Sequence, residues 1–179
     1  MKRYLLSLQC VLVLACAACG GGSGGNSNGV TDVQEISSDD SVVPLGGGTV
    51  FRVDFSIDED DIFNDDDSMY LVVFVPRQLA YRAGSAEIDG RTTQQDDSVD
   101  PVIVRCANGD AYLSFTLDRY SLDNAEPPSN DSDAQLKLTL NGVVAGNDVV
   151  VDAAADDSPV PFGCLQGLIP DAQEVVSVR

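Results

Sequence analysis

Residues 55–90, FSIDEDDIFNDDDSMYLVVFVPRQLAYRAGSAEIDG, decide the fold. The stretch begins on the end of an alternating strand and passes through an acidic run. It then rises into the unbroken apolar segment Met69–Val75, stops at Pro76, and ends in a second strand closing at Asp89-Gly90. A short segment apolar at every position, rather than at every third or fourth, has the pattern of a central strand covered on both faces. Proline cannot donate to a ladder, so Pro76 marks its end.

The flanking segments predict more strands of the same kind. In 49–56, Phe51, Val53 and Phe55 share one side and Arg52, Asp54 and Ser56 the other, the period of a half-buried strand. Leu113, Phe115 and Leu117 alternate in the same way in 111–117. Segments 31–36 and 41–45 read as short edge strands with a turn at Gly46-Gly47-Gly48, and 101–106 (PVIVRC) as another strand. Residues 121–134, with two prolines, read as a long loop. Residues 134–155 read as paired closing strands with a turn at Gly146-Asn147, and 174–178 (EVVSV) as a last edge strand. Many short strands with no helical stripe predict an all-β, antiparallel β-sandwich over 31–179, which the resemblance described next makes Ig-like.

Residues 75–86 carry a resemblance. Val75-Pro76, Leu79, Tyr81 and Gly84-Ser85-Ala86 resemble the conserved repeat domain of bacterial surface proteins, an Ig-like module of unknown function. Its signature runs from an apolar strand into Leu-Pro-x-Gly-Leu-x-Tyr-x-x-Gly-Ser-Ala. Gln78 stands where that family has glycine, and the acidic run replaces its preceding Asn-x-Gly element. The resemblance implies a β-sandwich used as a spacer or adhesive module, with no catalytic residue to carry over. Fold alone does not fix function.

In the acidic run, seven of the ten residues in 58–67 are carboxylates. Unit charges about 6 Å apart repel by roughly 0.7 kcal/mol per pair in water, so such a run favours extension unless a cation sits in it. Calcium, which accepts six to eight oxygens in loose geometry, is the candidate ion, with Asp58, Asp60, Asp65 and Asp67 as candidate ligands. No frame has the glycine and glutamate of an EF-hand. The competing reading is a solvated acidic loop pinned by Ile62 and Phe63.

At the N-terminus, Met1-Lys2-Arg3 precedes an apolar run over 4–18, right for a signal peptide and short for a membrane span. The run ends in cysteines. Cys19 has small residues before it and Gly20 directly after, the pattern of a lipidated bacterial cysteine. Cys16 is the alternative, and a cleaved leader of a soluble secreted protein is the third reading. The division is then a lipoprotein signal peptide over 1–18, a lipidated cysteine and tether over 19–30, and the sandwich over 31–179. Acyl chains contribute about 0.8 kcal/mol per buried methylene and would hold the domain on a membrane. The tether GGGSGGNSNG, 20–29, has an r.m.s. reach of about 18 Å. By resemblance to lipoprotein sorting patterns, glycine in place of aspartate after Cys19 favours the outer membrane or cell surface.

Composition narrows the function classes. Lys2 and Arg3 lie in the leader, leaving 29 acidic residues against eight basic ones beyond it, a net charge near −21. Such a field repels nucleic acid and excludes it as a partner. The chain has no histidine, so neither a Ser-His-Asp nor a Cys-His device, nor a His-ligated metal site, can be built. Lys137, the one lysine after Lys2, lies in an alternating strand opposite Leu136 and Leu138 and reads as an outward side chain.

Cys106 and Cys164 remain as the pair beyond the leader, and in an oxidising envelope two such cysteines pair; free thiols are the alternative. The functional expectation is a lipid-anchored envelope protein, without catalysis, that meets an envelope protein or glycan. A calcium-ordered module is the second reading. A carboxylate-based glycan hydrolase is the third, disfavoured by five tyrosines and no tryptophan to make a sugar platform.

Overall fold

The computed structural model describes residues 32–57, 69–88, 91–92, 100–117, 132–156, 164 and 168–179. Among them every regular element is a strand. In chain order these are β1 (Asp32–Ser38), β2 (Val42–Val43), β3 (Gly48–Ile57), β4 (Met69–Val75), β5 (Leu79–Tyr81) and β6 (Glu87–Ile88). They continue as β7 (Arg91–Thr92), β8 (Val102–Arg105), β9 (Ala111–Leu117), β10 (Ser132–Gly142), β11 (Gly146–Asp156) and β12 (Ala172–Val178).

Two sheets result. Sheet A has the order β1-β3-β10-β6-β7, with β5 also on β10; sheet B has the order β2-β12-β11-β4-β9-β8. All pairs are antiparallel except β2 with β12. The expected antiparallel β-sandwich is the fold. Its core is the alternation seen in the sequence: Phe51, Val53 and Phe55 of β3 and Leu136, Leu138 and Leu140 of β10 face Leu71, Val73, Leu113, Phe115, Val149, Val151 and Val176 of sheet B. At about 25 cal/mol per Å² of apolar surface buried, each of these side chains stabilises the fold by roughly 1.5–3 kcal/mol.

β1 is the edge strand expected, with an irregularity that periodicity hides. Val33 and Ile36 are both buried, yet residues three apart on a regular strand point to opposite faces. A bulge between Val33 and Glu35 adds the extra residue that turns both inward.

β4 sits between β11 and β9 in sheet B, as its apolarity on both faces predicts. Leu71, Val73 and Val75 enter the core. Val72, on the other face, is also fully buried, and Phe74 packs at 5.2 Å between ring centroids on Tyr112.

The closing strands differ from expectation. β10 and β11 do not pair with each other: β10 lies in sheet A against β3, and β11 in sheet B against β4 and β12. The chain crosses between sheets at 143–145. Gly146-Asn147 is not the turn; it opens β11 at a register shift, with Asp148 at φ 51°. Both strands carry inward apolar residues, and two sheets bury them more fully than one hairpin would. β12 is not the edge of sheet B either, since β2 covers it in parallel. β10 begins at Ser132 and takes up the last three residues of the predicted loop.

Candidate interaction surface

The residues of the Tyr-x-x-Gly-Ser-Ala motif form a joint. β10 pairs with β5 through Leu140–Gly142 and with β6 through Leu136–Lys137, which leaves a gap at Leu138 and Thr139. A backbone group left unpaired there would cost about as much as a lost hydrogen bond. The motif fills the gap: the Thr139 N–H donates to Ser85 Oγ at 3.0 Å, and the Arg82 N–H donates to the Thr139 carbonyl at 3.0 Å. Gly84 makes the return at φ 73°, where a side chain is strained. Leu79 and Ala86 are buried beneath it.

The Tyr81 hydroxyl donates to Asp100 Oδ1 at 2.8 Å, and the Gly84 N–H reaches the same oxygen. Burial, and then the Asp100 carboxylate, push the Tyr81 phenol well above its usual value. The motif is thus structural, and its chemistry is spent on the sheet.

The outer face of sheet A is a polar ladder. Gln135 Nε2 donates to Asp54 Oδ1 at 2.6 Å across β10 and β3, Lys137 Nζ pairs with Glu87 Oε1 at 3.2 Å, and Arg52 pairs with Asp39. Lys137 faces outward, as its alternation predicts. The Arg52 guanidinium holds the Asp39 carboxyl below the usual carboxylate range.

The outer face of sheet B is apolar and buried at its centre. Val72, Ala154, Tyr112 and Ser114 are all buried there, away from the main core. Of the described C-terminal residues, Leu168 reaches this face, Cys164 is tied to the turn after β8, and Asp171 continues the pairing of β12 with β11. Cys164 is joined to Cys106, with Cα atoms 5.5 Å apart. The Leu168 backbone hydrogen-bonds to Tyr112, and the Asp171 N–H donates to the Ala153 carbonyl while its Oδ2 accepts from the Ala155 N–H. Burial raises the Tyr112 phenol above its ordinary value.

The two ends of the sandwich also differ. One end, where the N-terminal segment enters, is fixed by the pairs Asp32↔Ser56, Ile57↔Ser132 and Tyr70↔Asp156. The other gathers the turns at 44–47, 76–78, 106–110 and 143–145 with Arg179. A ten-residue strand such as β3 sets them about 30 Å apart.

At this far end Leu45, Val143 and Val144 are each about half exposed. They are neighbours, because Leu45 bridges Gly142 and the Gly46 N–H donates to the Gly142 carbonyl. The joint is tight, since a Cβ on Gly142 would lie 2.6 Å from the Pro44 carbonyl oxygen and 2.8 Å from Val178. This apolar tip is the candidate interaction surface.

The sequence reading missed the tip. The signal was available, because Val143-Val144 is an apolar pair between Gly142 and Gly146, outside any alternating strand. Of the predicted site residues, the structure joins Cys106 and Cys164. Asp58, Asp60, Asp65 and Asp67, the candidate lipidation sites Cys19 and Cys16, the tether and Asp89-Gly90 lie outside the described residues. Among the described residues no three Cys, Asp or Glu side chains converge as a metal site.

No family model and no curated protein matches the chain. Among solved structures, it is similar to the major pilin SpaA of Corynebacterium diphtheriae, described as pointing to a modular pilus assembly with stabilizing isopeptide bonds. The TM-score is 0.52 at 13% identity, over 84% of this chain and 37% of that one. It is also similar to the N-terminal domain of the Streptococcus gordonii adhesin Sgo0707, with TM-score 0.50 at 14% identity, over 83% of this chain and 32% of that one. The chain thus spans about a third of the length of either. AvmM, which catalyzes macrocyclization in alchivemycin A biosynthesis, is matched at TM-score 0.39, too remote to bear on this chain. These likenesses show the fold, a β-sandwich.

Proposed function

We propose that the chain is a lipid-anchored protein of the bacterial cell envelope, held through Cys19 on the outer membrane or cell surface, with a structural or binding role and no catalysis. One observation carries this reading. The strand that follows the glycine tether enters the sandwich at one end, and the exposed apolar tip of Leu45, Val143 and Val144 lies at the opposite end. A domain tethered at one end and apolar at the other is arranged to present that tip away from its membrane. The likeness of the fold to a pilin and an adhesin supports the class, and the absence of histidine removes the commonest catalytic devices. An envelope protein or glycan is the partner class we infer.

Mass spectrometry of the mature N-terminus tests the anchor, with an acylated Cys19 as the expected result. Cys19→Ala should move the protein from the membrane to the soluble fraction. An unacylated mature terminus, or a Cys19→Ala protein that stays on the membrane, would remove the lipid-anchored reading.

A further inference from the structure

We propose that the sandwich is a load-bearing link, in which tension between its entry end and its far end loads the terminal strands in shear. The proposal rests on the anchored reading for where tension comes from, but the mechanical property belongs to the domain itself.

β1 runs from the entry end towards the far end, and its ladder to β3 holds from Asp32↔Ser56 to Ser38↔Phe51. A pull on the N-terminal side of Asp32, directed away from the sandwich, draws β1 along its own axis. Every hydrogen bond of that ladder then shares the load. β12 ends at the far end, beside Arg179, so an opposing pull there draws it along its axis against β11.

The two terminal segments are also tied directly. β2, only a few residues after β1, runs parallel to β12, with Ser177 N–H donating to the Ser41 carbonyl at 2.9 Å, Arg179 N–H to the Val43 carbonyl at 3.1 Å, and Leu45 N–H to the Arg179 carbonyl at 2.7 Å. Ser38 Oγ adds a bond to Glu174 Oε1 at 2.6 Å, joining β1 to β12 across the sheets. Parallel strands pulled from opposite ends slide, and their bonds must yield together. Antiparallel strands pulled from adjacent ends peel, one pair at a time.

The disulfide adds a second device. Cys106–Cys164 closes a loop 58 residues in separation that contains β9, β10 and β11. Tension passing from one terminus to the other bypasses that loop through the sulfur–sulfur bond.

Single-molecule pulling on the full chain tests this. Bio-orthogonal handles at Gly24 and Arg179 load the terminal strands in shear, whereas handles at Gly24 and Ser56 peel β1 from β3. The first rupture force should be several-fold higher in the first geometry. Leu45→Pro, which removes the N–H bonded to Arg179, should lower the shear force and leave the peeling force unchanged. Reductant should lengthen the released chain in the shear geometry by about 200 Å, the extended length of the loop. Equal forces in the two geometries, a shear force indifferent to Leu45→Pro, or no lengthening on reduction would overturn the proposal. No acyl chain takes part, so an unacylated protein would remove the anchored reading and leave this measurement standing.

Discussion

The outer faces of sheets A and B share one backbone geometry and solve opposite problems. On sheet A, Arg52, Asp54, Glu87, Gln135 and Lys137 pair across strands and face water. On sheet B, Val72, Ala154 and Tyr112 are buried, the Leu168 backbone bonds to Tyr112, and the Cys106–Cys164 disulfide ties the C-terminal segment to the turn after β8. A polar face completes itself with its own side chains, whereas an apolar one needs a cover and something to keep the cover in place. Surface pairs contribute little, so the stability of the two faces should be very unequal.

The largest expected effect is on the fastening. Replacing both Cys106 and Cys164 by serine should cost about 4 kcal/mol in the chain-entropy model for a loop of this length. Urea unfolding of the oxidised protein and of the double variant measures it. A difference near zero would mean the cover is held without its covalent tie.

Next comes Val72→Ala beside Lys137→Ala. The first removes buried methyl groups from the face of sheet B and should cost about 2 kcal/mol. The second, on the face of sheet A, should stay within about 0.5 kcal/mol. Equal losses would erase the contrast.

Alkaline titration sharpens it further. Burial raises both the Tyr81 and the Tyr112 phenols above their ordinary value of 10.0. Their contribution to stability is full below the unfolded value and is lost as pH climbs through the folded one, because the unfolded chain releases these protons first. The native protein should therefore show less tyrosinate absorbance near pH 10 than the urea-unfolded chain, and Tyr112→Phe should weaken the fall of stability above that pH. A fall just as steep in Tyr112→Phe would place its cause elsewhere. The smallest effect belongs to Asp39→Asn: its solvent-facing, partly exposed pair with Arg52 should leave the thermal midpoint unchanged.

Much of this contrast was legible in the sequence. Phe51, Val53 and Phe55 alternate with Arg52 and Asp54, so both the inner side of β3 and its solvated outer side follow from the pattern. The apolarity of Met69–Val75 announces a second cover but does not say which segment supplies it, because that depends on a contact far away in the chain. Similarly, the inward turn of both Val33 and Ile36 rests on a bulge that no spacing rule places. The glycine of Gly146-Asn147 imitates a hairpin signal, and only the burial of both neighbouring strands shows that the chain changes sheets there. At the tip, Leu45 and Val143 become neighbours through a bridge between distant segments, which a reading of local pattern cannot find.

The bond between Ser38 and Glu174 joins residues 136 positions apart, and among the described residues β2 finds its strand partner in β12. This sets an order of assembly. A chain that emerges N-terminus first presents β1 and β2 early, yet the partner of β2 is among the last residues made. β1 can settle on β3 at once, while β2 must wait with its backbone unpaired until β12 arrives. The contacts that close the sandwich are thus long in sequence, which places its folding among the slower, high-contact-order class. Truncation of the last strand should accordingly leave both ends of the chain unfinished.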